Sequence, residues 1–221
     1  FFEMATISEP QRGSGAVAPT GASGATQGWL PANPAPLGLS GFGITTLMLS
    51  MMNANLVSFS HDVEVVLGMA LAYGGLCQLL AGMWEFRAGN IFGAVAFSSY
   101  GAFWISFFVL VSFDLGKVGG GAAGVDAGLG LYLWAWAIFT GMMFLCSFAN
   151  ARAVQAVFLF LTLTFVFLGI GNSGGSASMI HIGGYLGIIT AALALYTACG
   201  EIMAVVYKHD VLPLGRPTPH N

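Results

Sequence analysis

Charge is what this sequence has least of. Charged side chains make up 7% of its 221 residues, against roughly 25% in a soluble domain. Between Leu37 and Tyr207 only nine occur, in narrow groups: Asp62/Glu64, Glu85/Arg87, Asp114/Lys117/Asp126, Arg152 and Glu201. In water, a surface so poor in charge would aggregate. In a bilayer it is required, because a charge at a helix centre costs about 2.5–3.5 kcal/mol on the mildest insertion scale. Cysteine is scarce too. Cys77, Cys146 and Cys199 stand singly in apolar stretches, with no CxxC pair and no His/Cys cluster, which argues against a disulfide framework or a zinc site. No metal or cofactor is expected. A net charge of −3 gives no footprint for nucleic acid. The absence of HExxH, paired mid-span aspartates or a Ser/His constellation argues against an enzyme.

What the chain does have is apolar length. Hydrophobic residues make up 57% and mean hydropathy is +0.82. The 32 glycines suit close helix packing in lipid, where burial from water cannot drive association. Six stretches approach or exceed the roughly 20 residues needed to cross the hydrocarbon: Leu37–Phe59, Val65–Trp84, Ile91–Phe113, Ala127–Phe148, Ala153–Ile170 and Met179–Met203. The polar and glycine-rich run from Gly169 to Ser176 separates the last two. The fold class is therefore all-α integral membrane with six transmembrane helices, over residues 33–207. Residues 1–32, rich in Gly, Ala, Ser, Thr, Pro and Gln, are expected to form a disordered tail, not a signal peptide. A first residue of Phe is expected of a trimmed chain, and residues 208–221 of a short second tail.

An even number of spans puts both ends on one side. That side then holds Arg12, Arg87, Arg152, Lys208 and Arg216, and the other only Lys117. Five against one satisfies the positive-inside rule, so both termini are expected in the cytoplasm.

Asn33-Pro34-Ala35-Pro36-Leu37-Gly38 stands where the first span begins. Asn caps helices and proline favours the first turn, which is the plain reading. The same geometry offers an anion the partial positive charge and free N–H groups of a helix start. Together with Leu39, Gly41-Phe42-Gly43 and Thr45-Thr46, this segment resembles the signature of the acetate uptake transporter family, which includes bacterial succinate–acetate permeases and fungal acetate transporters. The likeness continues through Tyr73-Gly74-Gly75, Gln78, Ala81-Gly82, Glu85 and Gly89-Asn90-x-Phe92-Gly93. It runs on through Ala96 to Trp104, Ile170-Gly171-Asn172, Ile180-His181 and Val211-Leu212-Pro213-Leu214-Gly215.

That resemblance implies a homohexamer of six-helix protomers in the plasma membrane. Each protomer would carry its own path for acetate and other small monocarboxylates, with succinate in some members. It implies a constriction at Phe42, Tyr100 and Leu161, and a size-tuning position at Ala194.

Helical spacing offers an independent check. Phe42, Thr45, Thr46, Leu49 and Asn53 share one face of the first helix; Phe97, Tyr100, Gly101 and Trp104 share one of the third; Phe158, Leu161, Thr162 and Phe165 share one of the fifth. Tyr100 and Leu161 both fall about 14 Å deep at 1.5 Å per residue, whereas Phe42 is only about 8 Å beyond Leu37. The first helix must therefore enter deep or tilt. No Lys or Arg lies mid-span, so a carboxylate must be held by neutral donors or cross with its charge cancelled. The candidate donors are Asn33, Thr45, Thr46, Asn53, Gln78, Ser98, Ser99, the Tyr100 hydroxyl and Thr162. Isolated Ser and Thr often bond their own helix carbonyls instead. Three groups could titrate: Glu85 and Glu201 near the cytoplasmic ends, where pairing with Arg87 or a loop charge is the plain role, and His181 near the outer end of the sixth span.

Two other readings stay open: a channel for a small neutral solute such as ammonia or water, and a scaffold or sensor that assembles through Gly89–Gly93 and Gly183–Gly187.

Overall fold

The computed structural model describes residues 29–57, 59–114, 117 and 121–217. The expected N-terminal tail lies mostly outside them. Among the described residues, six helices are long and apolar enough to cross a bilayer. Helix α1 is Ala35–Asn53. Helix α2 is α-helical over Phe59–Met69, π-helical over Ala70–Cys77 and α-helical again over Gln78–Ala88. Helix α3, Ile91–Val109, continues in π form over Leu110–Asp114. Helix α4, Gly121–Cys146, ends in a 3-10 turn at Ser147–Ala149. Helices α5 and α6 are Arg152–Gly174 and Ala177–Tyr207.

Two boundaries differ from the apolar pattern. The first helix stops at Asn53 rather than Phe59, and Asn55 follows at φ 59. Asparagine tolerates that left-handed region better than most residues. Helix α5 continues through Ile170-Gly171-Asn172 and breaks only at Gly175, φ 63. In lipid the backbone must satisfy itself, which favours continued helix over an early turn. Asn172 complies, donating to the Leu168 carbonyl at 2.8 Å.

The helices close a ring. Helix α1 packs on α6, α6 on α5, α5 on α4, and α2 on both α1 and α3. Aromatic side chains join α3 to α4: Phe103 lies 5.1 Å from Trp136 and 5.7 Å from Tyr132 between ring centroids, and Tyr100 lies 5.6 Å from Phe139. Each such pair contributes about 0.5–1.5 kcal/mol beyond its buried area. Apolar side chains also cover the outside, as lipid requires. On α4, Leu131, Ile138 and Leu145 repeat at seven-residue spacing and are exposed.

Glycines of α6 are spent within this ring. A Cβ at Gly183 would stand 2.7 Å from Leu168 Cδ2, and one at Gly184 would strike the α1 backbone at Asn53 and Ala54. The Gly183–Gly187 face, a candidate for assembly between copies, thus packs α6 against α5 and α1 of its own chain.

Candidate functional site

Two cavities lie inside the ring, one behind the other. The larger, about 490 Å³, opens on the side of the two chain ends. Asn33, Asn90, Asn150, Glu201 and Arg216 stand at its mouth and Gln78, Phe97, Phe158 and Thr197 line its wall. The smaller, about 120 Å³, lies toward the far side, among Thr46, Ser50, Asn53, Trp104, Tyr132, Thr164 and Asn172. Phe42 and Leu161 line both, and Tyr100 lines the larger. The Phe42 and Tyr100 rings are 5.7 Å apart, and all three residues are nearly sealed in one buried cluster. The short lead of α1, about 10 Å from Ala35 to Phe42, does not keep these rings apart.

Chain direction makes the cavities electrostatically unequal, although α4 also ends at the larger one, at Ala149. Helices α1, α3 and α5 all begin at the larger cavity, each bringing about half a positive charge at its N-terminus. In each, one or two first-turn N–H groups are already occupied. Asn33 Oδ1 accepts from Ala35 N at 3.0 Å, and Asn90 Oδ1 from Gly93 N at 3.1 Å. The carbonyls of Gly215 and Leu214 accept from Arg152 N and Ala153 N at 2.9 and 3.0 Å. The three helices end beside the smaller cavity, so that side receives the negative ends of their dipoles.

Several buried polar atoms have no partner among the described residues: Thr46 Oγ1, Gln78 Oε1 and Trp104 Nε1 belong to cavity-lining residues. A buried polar group without a hydrogen bond costs free energy, so such atoms suit a polar visitor. Residues 17–212 match the GPR1/FUN34/yaaH family. This chain belongs to that family. Among family members, the succinate-acetate/proton symporter SatP of Escherichia coli K12 is 41% identical over 184 residues, 83% of this chain and 95% of that protein. Acetate permease A of Emericella nidulans is 41% identical over 196 residues, covering 83% of this chain and 65% of the permease. A solved structure of the bacterial acetate channel SatP matches with TM-score 0.77 and 41% identity, over 84% of this chain and 99% of that one.

Within this family member the expected site residues divide. Phe42, Tyr100 and Leu161 come together, while Asn33, Thr46, Asn53 and Gln78 line a cavity. Others do not. Thr45, fully buried, packs against Gly74 of α2, and Ser98 packs against Gly82. Thr162 donates to its own helix at Phe158 O, 2.7 Å away. Ser99 and His181 are half-buried and line neither cavity. Ala194 is sealed in the cluster that holds Phe42.

The two carboxylates also separate. Glu85 does not pair with Arg87, which donates instead to the Trp29 carbonyl. It is only 1% exposed and accepts from Asn90 Nδ2 at 2.9 Å, lining neither cavity. Glu201 lines the larger cavity and pairs with Arg216 at 3.0 Å.

Sequence reasoning missed Thr140, which accepts the Tyr100 hydroxyl at 2.9 Å, and Ser50, Thr164 and Asn172 of the smaller cavity. Ser50 was within reach, four residues beyond Thr46 on the same helix face. Thr140 carried no signal, because nothing local links α4 to α3.

Proposed function

We propose that this protein moves acetate and other small carboxylates, succinate among them, across the plasma membrane through each protomer. One observation carries the reading: two cavities meet at Phe42 and Leu161 beside Tyr100, in a chain 41% identical to a succinate-acetate/proton symporter. Phe42, Tyr100 and Leu161 act as the narrow ring. Asn33, Gln78, Thr46 and Asn53 supply weak neutral donors along the way, and weak sites suit conduction because the substrate must also leave. Both termini face the cytoplasm, supported by the five-to-one distribution of Lys and Arg. Protomers assemble as a homohexamer, with apolar outer faces such as that of α4 available for contact; native mass spectrometry in detergent tests that number.

The deciding experiment is uptake of radiolabelled acetate into proteoliposomes, with and without a pH gradient. Flux that quickens as the external pH falls supports proton-linked passage. Flux indifferent to the gradient supports a channel-like route for the ion. Passage of ammonia or water without acetate would replace carboxylate by a neutral solute, and no flux at all would leave a scaffold.

A further inference from the structure

The chain does not trail away after Tyr207. Lys208 adopts a left-handed conformation, φ 62, and the segment after it turns back across the mouth of the larger cavity. Leu214 is buried, 4% exposed, against Gly200 of α6. Tyr196 Oη donates to the Pro213 carbonyl at 3.1 Å. The carbonyls of Leu214 and Gly215 take the first two N–H groups of α5. Gly215, at φ 67, makes the turn that a side chain would strain, and a Cβ there would stand 2.8 Å from that of Arg152. After that turn Arg216 reaches the cavity, where it is the one cation among the described lining residues of either cavity.

Two donors converge there on one carboxylate. Arg216 Nη2 donates to Glu201 Oε1 at 3.0 Å, and Asn33 Nδ2 donates to Glu201 Oε2 at 3.2 Å. The other guanidinium nitrogen, Nη1, donates to Asp210 at 2.6 Å. The two acids differ in setting: the Glu201 side chain is 23% exposed and lines the cavity, whereas that of Asp210 is 61% exposed. Asp210 therefore holds the guanidinium from the water side, and Glu201 fills the inner position. Asn33 has a double use, because its oxygen caps α1 and leaves its amide hydrogens free to point at an anion.

We propose that the Glu201 carboxylate is a built-in stand-in for the substrate, and that Arg216 and Asn33 form an exchange site for a small carboxylate at this mouth. The proposal rests on the transport reading above and adds its recognition step. An arriving carboxylate takes the two donors, and Glu201 turns to water. Guanidinium and amide together distinguish a carboxylate from a neutral solute of equal size. A tethered competitor at high effective concentration keeps the site weak, as release into the path requires.

Acetate and acetamide fluxes in proteoliposomes test this, acetamide being the neutral isostere. Arg216→Gln is expected to raise the KM for acetate about three- to tenfold, as for loss of one partly exposed charge-assisted hydrogen bond, and to leave acetamide flux unchanged. Arg216→Lys keeps the charge without the fork and should recover part of the loss. Glu201→Gln removes the competing anion and should lower the KM for acetate. Equal loss of acetate and acetamide in Arg216→Gln would make Arg216 a structural latch and overturn the proposal. So would a raised or unchanged KM in Glu201→Gln. Wild-type vesicles that pass no acetate would sink the transport reading itself, a separate result.

Discussion

The two cavities differ in size, charge and chemistry, although the same three odd-numbered helices line both. The larger gathers three helix N-termini against the one C-terminus of α4, with three asparagines and a guanidinium–carboxylate pair. The smaller gathers three helix C-termini, two asparagines, a serine, two threonines and a wall of Phe103, Trp104, Phe107 and Phe165. By helix dipoles an anion is received better in the first, where three starts outweigh one end, than in the second. The contrast teaches that the path need not hold a carboxylate equally well along its length. It can be gathered as an ion on one side and pass the ring and far side weakly held or with its charge cancelled.

The comparison breaks most simply on geometry. In a background with Cys77, Cys146 and Cys199 replaced by serine, cysteines at Asn150 and Asn172 lie in different cavities. A membrane-impermeant thiol reagent should label Asn150→Cys only from the side of the chain ends and Asn172→Cys only from the opposite side. Labelling of both from one face would mean that the two spaces are one vestibule.

The wall between the cavities gives the next largest effect. Leu161 lines both and is 4% exposed. Leu161→Ala should destabilise the protein by about 2–3 kcal/mol. It should also raise lactate flux relative to acetate about tenfold, the scale of discrimination set by one carbon group in an apolar pocket. Tyr100→Phe keeps the bulk and strands the buried Thr140 hydroxyl, at a cost of about 1 kcal/mol. It should lower acetate flux several-fold and leave the acetate-to-lactate ratio as it was. If both variants transport as the wild type does, the ring is not at these residues.

How much of this was legible beforehand follows from the range of each interaction. Six helices could be read because the bilayer imposes length and apolarity locally on every span. Faces of single helices could be read as well: Phe42, Thr46, Leu49 and Asn53 follow helical spacing and line the cavities. Spacing cannot say which half of a polar face turns to a neighbouring helix. Thr45, one residue before Thr46, meets Gly74, and Ser98 meets Gly82. Glu85 looked paired with Arg87 in sequence, but the helix turns the acid inward to Asn90 and Arg87 outward to Trp29. Arg216 was least legible, because its position depends on a turn at Gly215 and on carbonyls placed against α5, distant in sequence.

Sidedness sharpens the comparison further. In vesicles sorted by orientation, half-saturation by acetate should occur at lower concentration from the larger-cavity side. Three helix starts at about 0.3–1 kcal/mol each, offset in part by the α4 end at Ala149, imply a difference of about three- to tenfold after solvent screening. High salt should narrow it. Equal half-saturation from both sides at low salt would show that the electrostatic asymmetry does not reach the substrate.

The smallest expected effect concerns Glu85, and it decides how the charge is handled. This acid is only 1% exposed in the wall beside the larger cavity, without lining it, and holds Asn90, which does line it. Glutamine at that position keeps an oxygen to accept from Asn90 and removes the group that could carry a proton. If neutral donors and helix starts handle the carboxylate, Glu85→Gln should change acetate uptake less than about twofold, one hydrogen bond having replaced another of similar strength. Asn33→Ala should cost more, since it removes a donor at the mouth and the cap of α1 together. Both variants are to be compared at equal membrane abundance and over a range of external pH. Should Glu85→Gln abolish the pH dependence while Asn33→Ala leaves uptake intact, protons travel through the Glu85 carboxyl. The larger cavity would then be one arm of a proton relay, and its gathered helix starts would no longer account for how a carboxylate is received.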